Sequence, residues 1–138
     1  MKIVVSACLL GENCKYNGGN NFSSAVAEFV RGREVIPVCP ERLAGLGVPR
    51  APIEIVNGEV LRQDGSSVDA ALRKAVQQIL DQLEGQNIEC VILKSRSPTC
   101  GVKQVHDGTF SGVLVDGRGV LAAALQEKGY KVVDAEDL

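Results

Sequence analysis

A chain of 138 residues, 45% hydrophobic and 23% charged, has the size and composition of one folded domain (1–138) rather than a disordered segment. Its formal net charge of −2 offers no broad cationic face for a nucleic-acid backbone, which needs clustered Lys and Arg. No stretch is apolar for long enough to cross a bilayer, and the apolar run after Met1 is too short for a secretory signal, so a cytoplasmic location is expected.

Residues 3–7 are apolar and mostly β-branched, which predicts a buried parallel strand leading into Cys8. A Gly/Asn-rich loop follows, from Gly11 to Asn21. Ser23 or Ser24 is then placed to cap a short helix bearing Val26, Phe29 and Val30, ended by Gly32. Val35 to Val38 predict a second strand that delivers Cys39. The Pro/Gly-rich stretch after it predicts irregular structure. Ile53 to Arg62 read as a β-hairpin turning at Asn57-Gly58. From Ser67 to Glu84, Val68, Leu72, Val76, Ile79 and Leu83 recur at helical spacing, with Ser66 or Ser67 as N-cap and Gly85 as stop. Cys90 to Leu93 predict a third buried strand. A long loop, Lys94 to Ser111, carries Cys100. A helix from Gly119 to Lys128 and a strand from Lys131 to Val133 close the chain. Strands alternating with helices predict an α/β domain, a mostly parallel, Rossmann-like sheet flanked by helices with an inserted hairpin.

The chain has five cysteines. In a reducing compartment this count does not read as a disulfide framework, and the absence of any CxxC pair disfavours a zinc ribbon or a thioredoxin-type motif. Cys8 and Cys39 each follow a predicted strand, and Cys100 lies in the loop after a third. Ligands of parallel α/β sheets bind outside the carboxyl ends of the strands, so these three thiols are positioned to meet on one rim. Cys90 starts its strand and is expected in the core or at the opposite end, as a small buried hydrophobe. Cys14, in a polar loop, fits a structural role and a functional one equally. Glu41 in Cys-Pro-Glu reads equally as a solvated loop carboxylate, Ser97 as a turn residue beside Pro98, and His106 as an exposed turn residue.

Four segments, in order, carry a resemblance: Val5-Ser6-Ala7-Cys8-Leu9-Leu10-Gly11 with Cys14-Lys15-Tyr16-Asn17-Gly18; Pro37-Val38-Cys39-Pro40-Glu41 with Gly45-Leu46 and Pro49-Arg50; Leu93-Lys94 through Ser97-Pro98-Thr99-Cys100-Gly101; and Asp107-Gly108-Thr109-Phe110-Ser111-Gly112. Together they resemble the thiouracil desulfurases, a family formerly described only as a domain of unknown function. The resemblance extends over nearly the whole chain. It implies a [4Fe-4S] cluster held by three cysteines, with one iron free of protein ligands. Carried over to this sequence, the ligands are Cys8, Cys39 and Cys100. It also implies an acid/base carboxylate, Glu41, and an assisting serine, Ser97, with Ser95 as the alternative in the same loop. Cys14 belongs to the family pattern without being a ligand. The loop after it reads Lys-Tyr-Asn-Gly, where the family pattern has Arg-Tyr-Asp-Gly.

The implied activity is non-redox removal of sulfur from thiolated pyrimidines, thiouracil giving uracil and sulfide. The implied partner is a small thiolated nucleobase or nucleoside, with no stable nucleic-acid complex and no membrane. Two other readings of the same thiols are an electron-transfer or redox-sensing cluster protein and a nucleobase-binding module without catalysis.

Overall fold

The computed structural model describes residues 1–138. Four strands, β1 (Lys2–Ser6), β2 (Glu34–Val38), β5 (Ile88–Leu93) and β8 (Val132–Asp134), form a fully parallel sheet in the order β2-β1-β5-β8. Helices α1 (Ser24–Phe29), α2 (Pro40–Leu43), α3 (Asp69–Leu83) and α4 (Val120–Glu127) connect them. Two antiparallel hairpins, β3–β4 (Ile53–Val56, Glu59–Arg62) and β6–β7 (Gln104–His106, Leu114–Asp116), complete the fold. The expected α/β architecture is therefore present, with a second hairpin where the sequence predicted only loop.

Side-chain alternation explains the layering. Along β1, Val4 points to one face and Ile3 and Val5 to the other. Val4 joins Val91 and Leu93 of β5 beneath Val76, Ile79 and Leu83 of α3 and Leu121 and Leu125 of α4. Ile3, Val5 and Ile92 pack under Val26 and Val30 at the α1 end of the other face. A third group, Ile53, Val60, Val68 and Leu72, ties the first hairpin to α3. Because both faces are covered, the strands read as unbroken apolar runs rather than alternating ones.

Several local predictions need correction. Cys90 does not start its strand; β5 begins at Ile88, and Cys90 pairs in register with Ile3, buried in the apolar group under α1. Phe29 does not share the buried face of Val26 and Val30; it is 38% exposed, with the Arg33 guanidinium over its ring. The N-cap position of α3 falls on Val68, not on Ser66 or Ser67. The first turn is satisfied instead by Ser67 Oγ, which accepts from Asp69 N at 3.2 Å. Asp69 in turn accepts from Val60 N at 3.0 Å, linking helix to hairpin. The stretch after Cys39 is not irregular at its start: Pro40 stands at the first position of α2, where its missing N–H costs nothing. Asn57 and Gly58, at φ 50° and 81°, make the predicted tight turn. No helix is long and apolar enough to cross a membrane.

Candidate active site

The carboxyl ends of β2, β1 and β5 lie side by side, since these are neighbouring strands. The chain runs from β1 to β2 on one side and then crosses to β5 on the other, so the order of the strands reverses between β1 and β5 while all remain parallel. That reversal opens the crevice where α/β sheets bind their ligands. Ser6, at the end of β1, accepts from Lys94 N at 3.0 Å and closes the floor of the crevice. Each strand then delivers a thiol: Cys8 within a 3-10 turn after β1, Cys39 as the residue preceding α2, and Cys100 in the loop after β5.

A cavity of about 440 Å³ opens on this edge. Cys8, Cys39 and Cys100 line it, together with Glu41, Ser95, Ser97, Cys14, Arg50, Lys94 and His106. Cys90 does not. Cys14, left open by the sequence, is thus a buried fourth thiol of this wall. His106 is not the exposed turn residue expected; it lies half-buried on β6 and faces the cavity, because Val105 beside it turns into the protein.

The thiols sense one another. Burial raises the Cys8 thiol above its usual value, offset by a hydrogen bond with Asn21 and reinforced by Cys39. Burial, then the charge of Cys39, pushes Cys14 up to about 12. Burial drives Cys100 up to about 12 as well, against a hydrogen bond with Ser6 and with Glu41 and Cys8 as further repulsive neighbours. Such thiols keep their protons until a cation takes the proton's place.

Glu41 occupies the first turn of α2. Its side chain is 17% exposed and that of Arg50 6%, with Oε1 3.6 Å from Arg50 Nη2. Its other oxygen, Oε2, accepts from Thr99 Oγ1 at 3.1 Å. It is therefore no solvated loop carboxylate. Arg50 also donates to the carbonyl oxygens of Cys14 (2.9 Å) and Gly47 (3.0 Å), clamping the Cys14 loop to the segment after α2; its Nε is buried without a partner. Ser97 Oγ accepts from Thr99 N and Cys100 N, both at 3.1 Å, so Ser97 shapes the turn that presents Cys100. Ser95 is 4% exposed and its Oγ accepts from Lys94 Nζ at 3.2 Å.

The Asp107–Gly112 segment is held from below. Glu54, 8% exposed, accepts from Gly108 N at 3.0 Å and Phe110 N at 3.2 Å. A Cβ on Gly108 would sit 2.7 Å from Ile55 O, and its φ is +92°, so glycine is required there. Sequence reasoning gave no role to Arg50, Thr99 or Glu54. Arg50 had a signal, as a cation isolated in a Pro/Gly-rich stretch. Glu54 and Thr99 had none, because each acts through a partner distant in sequence or hidden by burial.

The donor set suits a thiolate-ligated cluster. Thiolates are the ligands that iron–sulfur centres take, and Lys94 and Arg50 line the same cavity to offset their charge. No group of three His, Cys, Asp or Glu side chains is placed to hold a single metal ion; a cluster of several irons spreads its ligands more widely than one ion does.

Fold and site together define an α/β protein whose thiol-lined cavity sits at the switch point of a parallel sheet. A family model described as 2-thiouracil desulfurase matches residues 3–137, and the chain belongs to that family. It is 34% identical to the uncharacterised Bacillus subtilis (strain 168) protein YbbK, over 99% of this chain and 97% of that one. Among solved structures it is similar to a [4Fe-4S]-dependent thiouracil desulfidase, TudS, with a TM-score of 0.90 and 34% identity, over 99% of this chain and 92% of that one.

Proposed function

We propose that this protein removes sulfur from thiolated pyrimidines, thiouracil giving uracil and sulfide without net electron transfer. In this reading residues 1–138 act as one catalytic domain in a reducing, cytoplasmic setting. The substrate is a small thiolated nucleobase or nucleoside, and no stable nucleic-acid complex is formed. Cys8, Cys39 and Cys100 hold a [4Fe-4S] cluster through three thiolates. The observation that carries the reading is their delivery, from three neighbouring strand ends, into one cavity that also contains Glu41 and Ser97.

When bound, the cluster supplies an iron with an open position, a Lewis acid with affinity for sulfur. The chain's own residues do the rest. The cavity takes in the flat base and sheds its water. Arg50, 3.6 Å from Glu41 Oε1, orients the carboxylate toward the cavity. Glu41 takes a proton from the water that attacks the sulfur-bearing carbon, and returns it to the departing sulfur. One C–S double bond is exchanged for one C–O double bond, and the two protons of water leave on sulfide. Ser97 assists from the cavity wall, where its hydroxyl holds the turn that presents Cys100. An electron carrier would have no use for a carboxylate and a serine inside the cavity, which favours the hydrolytic reading.

Anaerobic reconstitution tests the proposal. The expected product is a brown protein with about four irons per chain that releases sulfide and uracil in equal amounts from thiouracil. A colourless zinc-binding protein, or an iron-loaded one that releases no sulfide, would overturn it.

A further inference from the structure

One side chain touches both catalytic candidates without lining the cavity. Thr99 is fully buried, at 0% exposure. Its Oγ1 lies 2.9 Å from Ser97 Oγ and 3.1 Å from Glu41 Oε2. Valine would fill the same shape without burying a hydroxyl, which is costly to bury unless it is hydrogen-bonded.

Counting donors fixes the direction of this chain. Ser97 Oγ accepts from two backbone N–H groups, Thr99 N and Cys100 N. A hydroxyl has two lone pairs and one proton, so Ser97 has only its proton left to give. The acceptor beside it is Thr99 Oγ1. Thr99 then has a single proton of its own to place. Glu41 Oε2, at 3.1 Å, can only accept; Cys100 Sγ, at 3.8 Å, is the poorer acceptor. The protons therefore point from Ser97 to Thr99 to Glu41, and Arg50 stands at the far carboxylate oxygen.

We infer that Thr99 is a positioning residue that couples Ser97 to Glu41, holding the Ser97 hydroxyl in one orientation and fixing Glu41 Oε2 with the hydrogen bond it donates. The chemistry of this inference rests on the desulfuration reading above; the hydroxyl chain does not. With N–H groups on both its lone pairs and its own proton given to Thr99, Ser97 Oγ takes no proton from water. The chain acts by geometry: it fixes Glu41 Oε2 from one side while Arg50 stands at Oε1, so that the carboxylate meets the attacking water in one orientation.

Thr99→Val removes the hydroxyl and keeps the shape, and Thr99→Ser restores the hydroxyl. Thr99→Val is expected to keep its iron and its KM for thiouracil while kcat falls at least about tenfold. Thr99→Ser is expected to recover most of the loss. Neutron diffraction reads the chain without turnover, with deuterons directed from Ser97 Oγ to Thr99 Oγ1 and from Thr99 Oγ1 to Glu41 Oε2. Wild-type kcat in Thr99→Val, no recovery in Thr99→Ser, or deuterons in the reverse order would each overturn the inference. If Thr99→Val loses iron, Thr99→Ser and the neutron map decide it. Wild-type protein that releases no sulfide sinks the desulfuration reading, while the neutron map still judges the hydroxyl chain.

Discussion

Cys100 and Cys90 are equally buried, each 5% exposed, and both pack against apolar side chains, yet only Cys100 also meets polar groups. Cys90 lies among Ile3, Val5, Ile92 and Val26 and behaves as a small hydrophobe. Cys100 lies past the strand's carboxyl end, with Ser6, Thr99, Glu41 and Cys8 around its sulfur. Burial alone thus says nothing about whether a thiol serves chemistry. What separates the two is place along the chain: Cys90 sits within β5, paired with Ile3, and Cys100 lies beyond the strand's carboxyl end.

The widest separation between the two thiols should come from the ligands. Cys8→Ser, Cys39→Ser and Cys100→Ser are each expected to lose the iron and with it all sulfide release, measured by iron analysis and a colorimetric sulfide assay. Iron retained in any of the three would break the proposed trio. Next comes Glu41→Gln, which should keep its iron and lose about 10²–10⁴-fold in turnover; full activity there would remove Glu41 from the chemistry. Cys90→Ser should keep both iron and turnover and lose only stability, by about 1–3 kcal/mol for a hydroxyl buried among aliphatics, read from urea unfolding. An inactive, iron-free Cys90→Ser protein would erase the contrast altogether.

The smallest effect lies farthest from the site. Burial pushes the Asp69 carboxyl up, but its bonds with Arg73 and Val60 N–H outweigh this and hold it below the usual value. A depressed carboxyl stabilises the fold above its unfolded value, near pH 4, and that contribution fades as pH falls through the folded value. Asp69→Asn should cost no more than about 1 kcal/mol at neutral pH and remove this part of the acid dependence, as followed by unfolding midpoints between pH 7 and 3. Unchanged acid sensitivity would show that the link between α3 and the hairpin carries no charge-dependent stability.

The sheet was legible because its signals are local: unbroken β-branched runs at β1 and β5, an apolar period across α3, and Asn57-Gly58 at a tight turn. The gathering of Cys8, Cys39 and Cys100 followed from topology, since residues after neighbouring parallel strands share one edge. Hairpin β6–β7 was not legible. Its three-residue strands are too short for alternation to register, and His106 was misread with it. Thr99 and Arg50 escaped for another reason: their partners, Glu41 and the Cys14 carbonyl, stand far away in sequence.

The loop carrying Cys100 is knitted to the start of α4. Gly119, Val120 and Leu121 donate their N–H groups to the carbonyls of Gly101, Pro98 and Thr99 at 2.8–3.0 Å. A Cβ on Gly119 would stand 2.4 Å from the Thr99 carbonyl carbon. The cradle thus draws its shape from peptide bonds already spoken for, and not from whatever it comes to carry. The perch of Cys100 therefore stands ready before any ligand arrives, as a socket stands before its lamp.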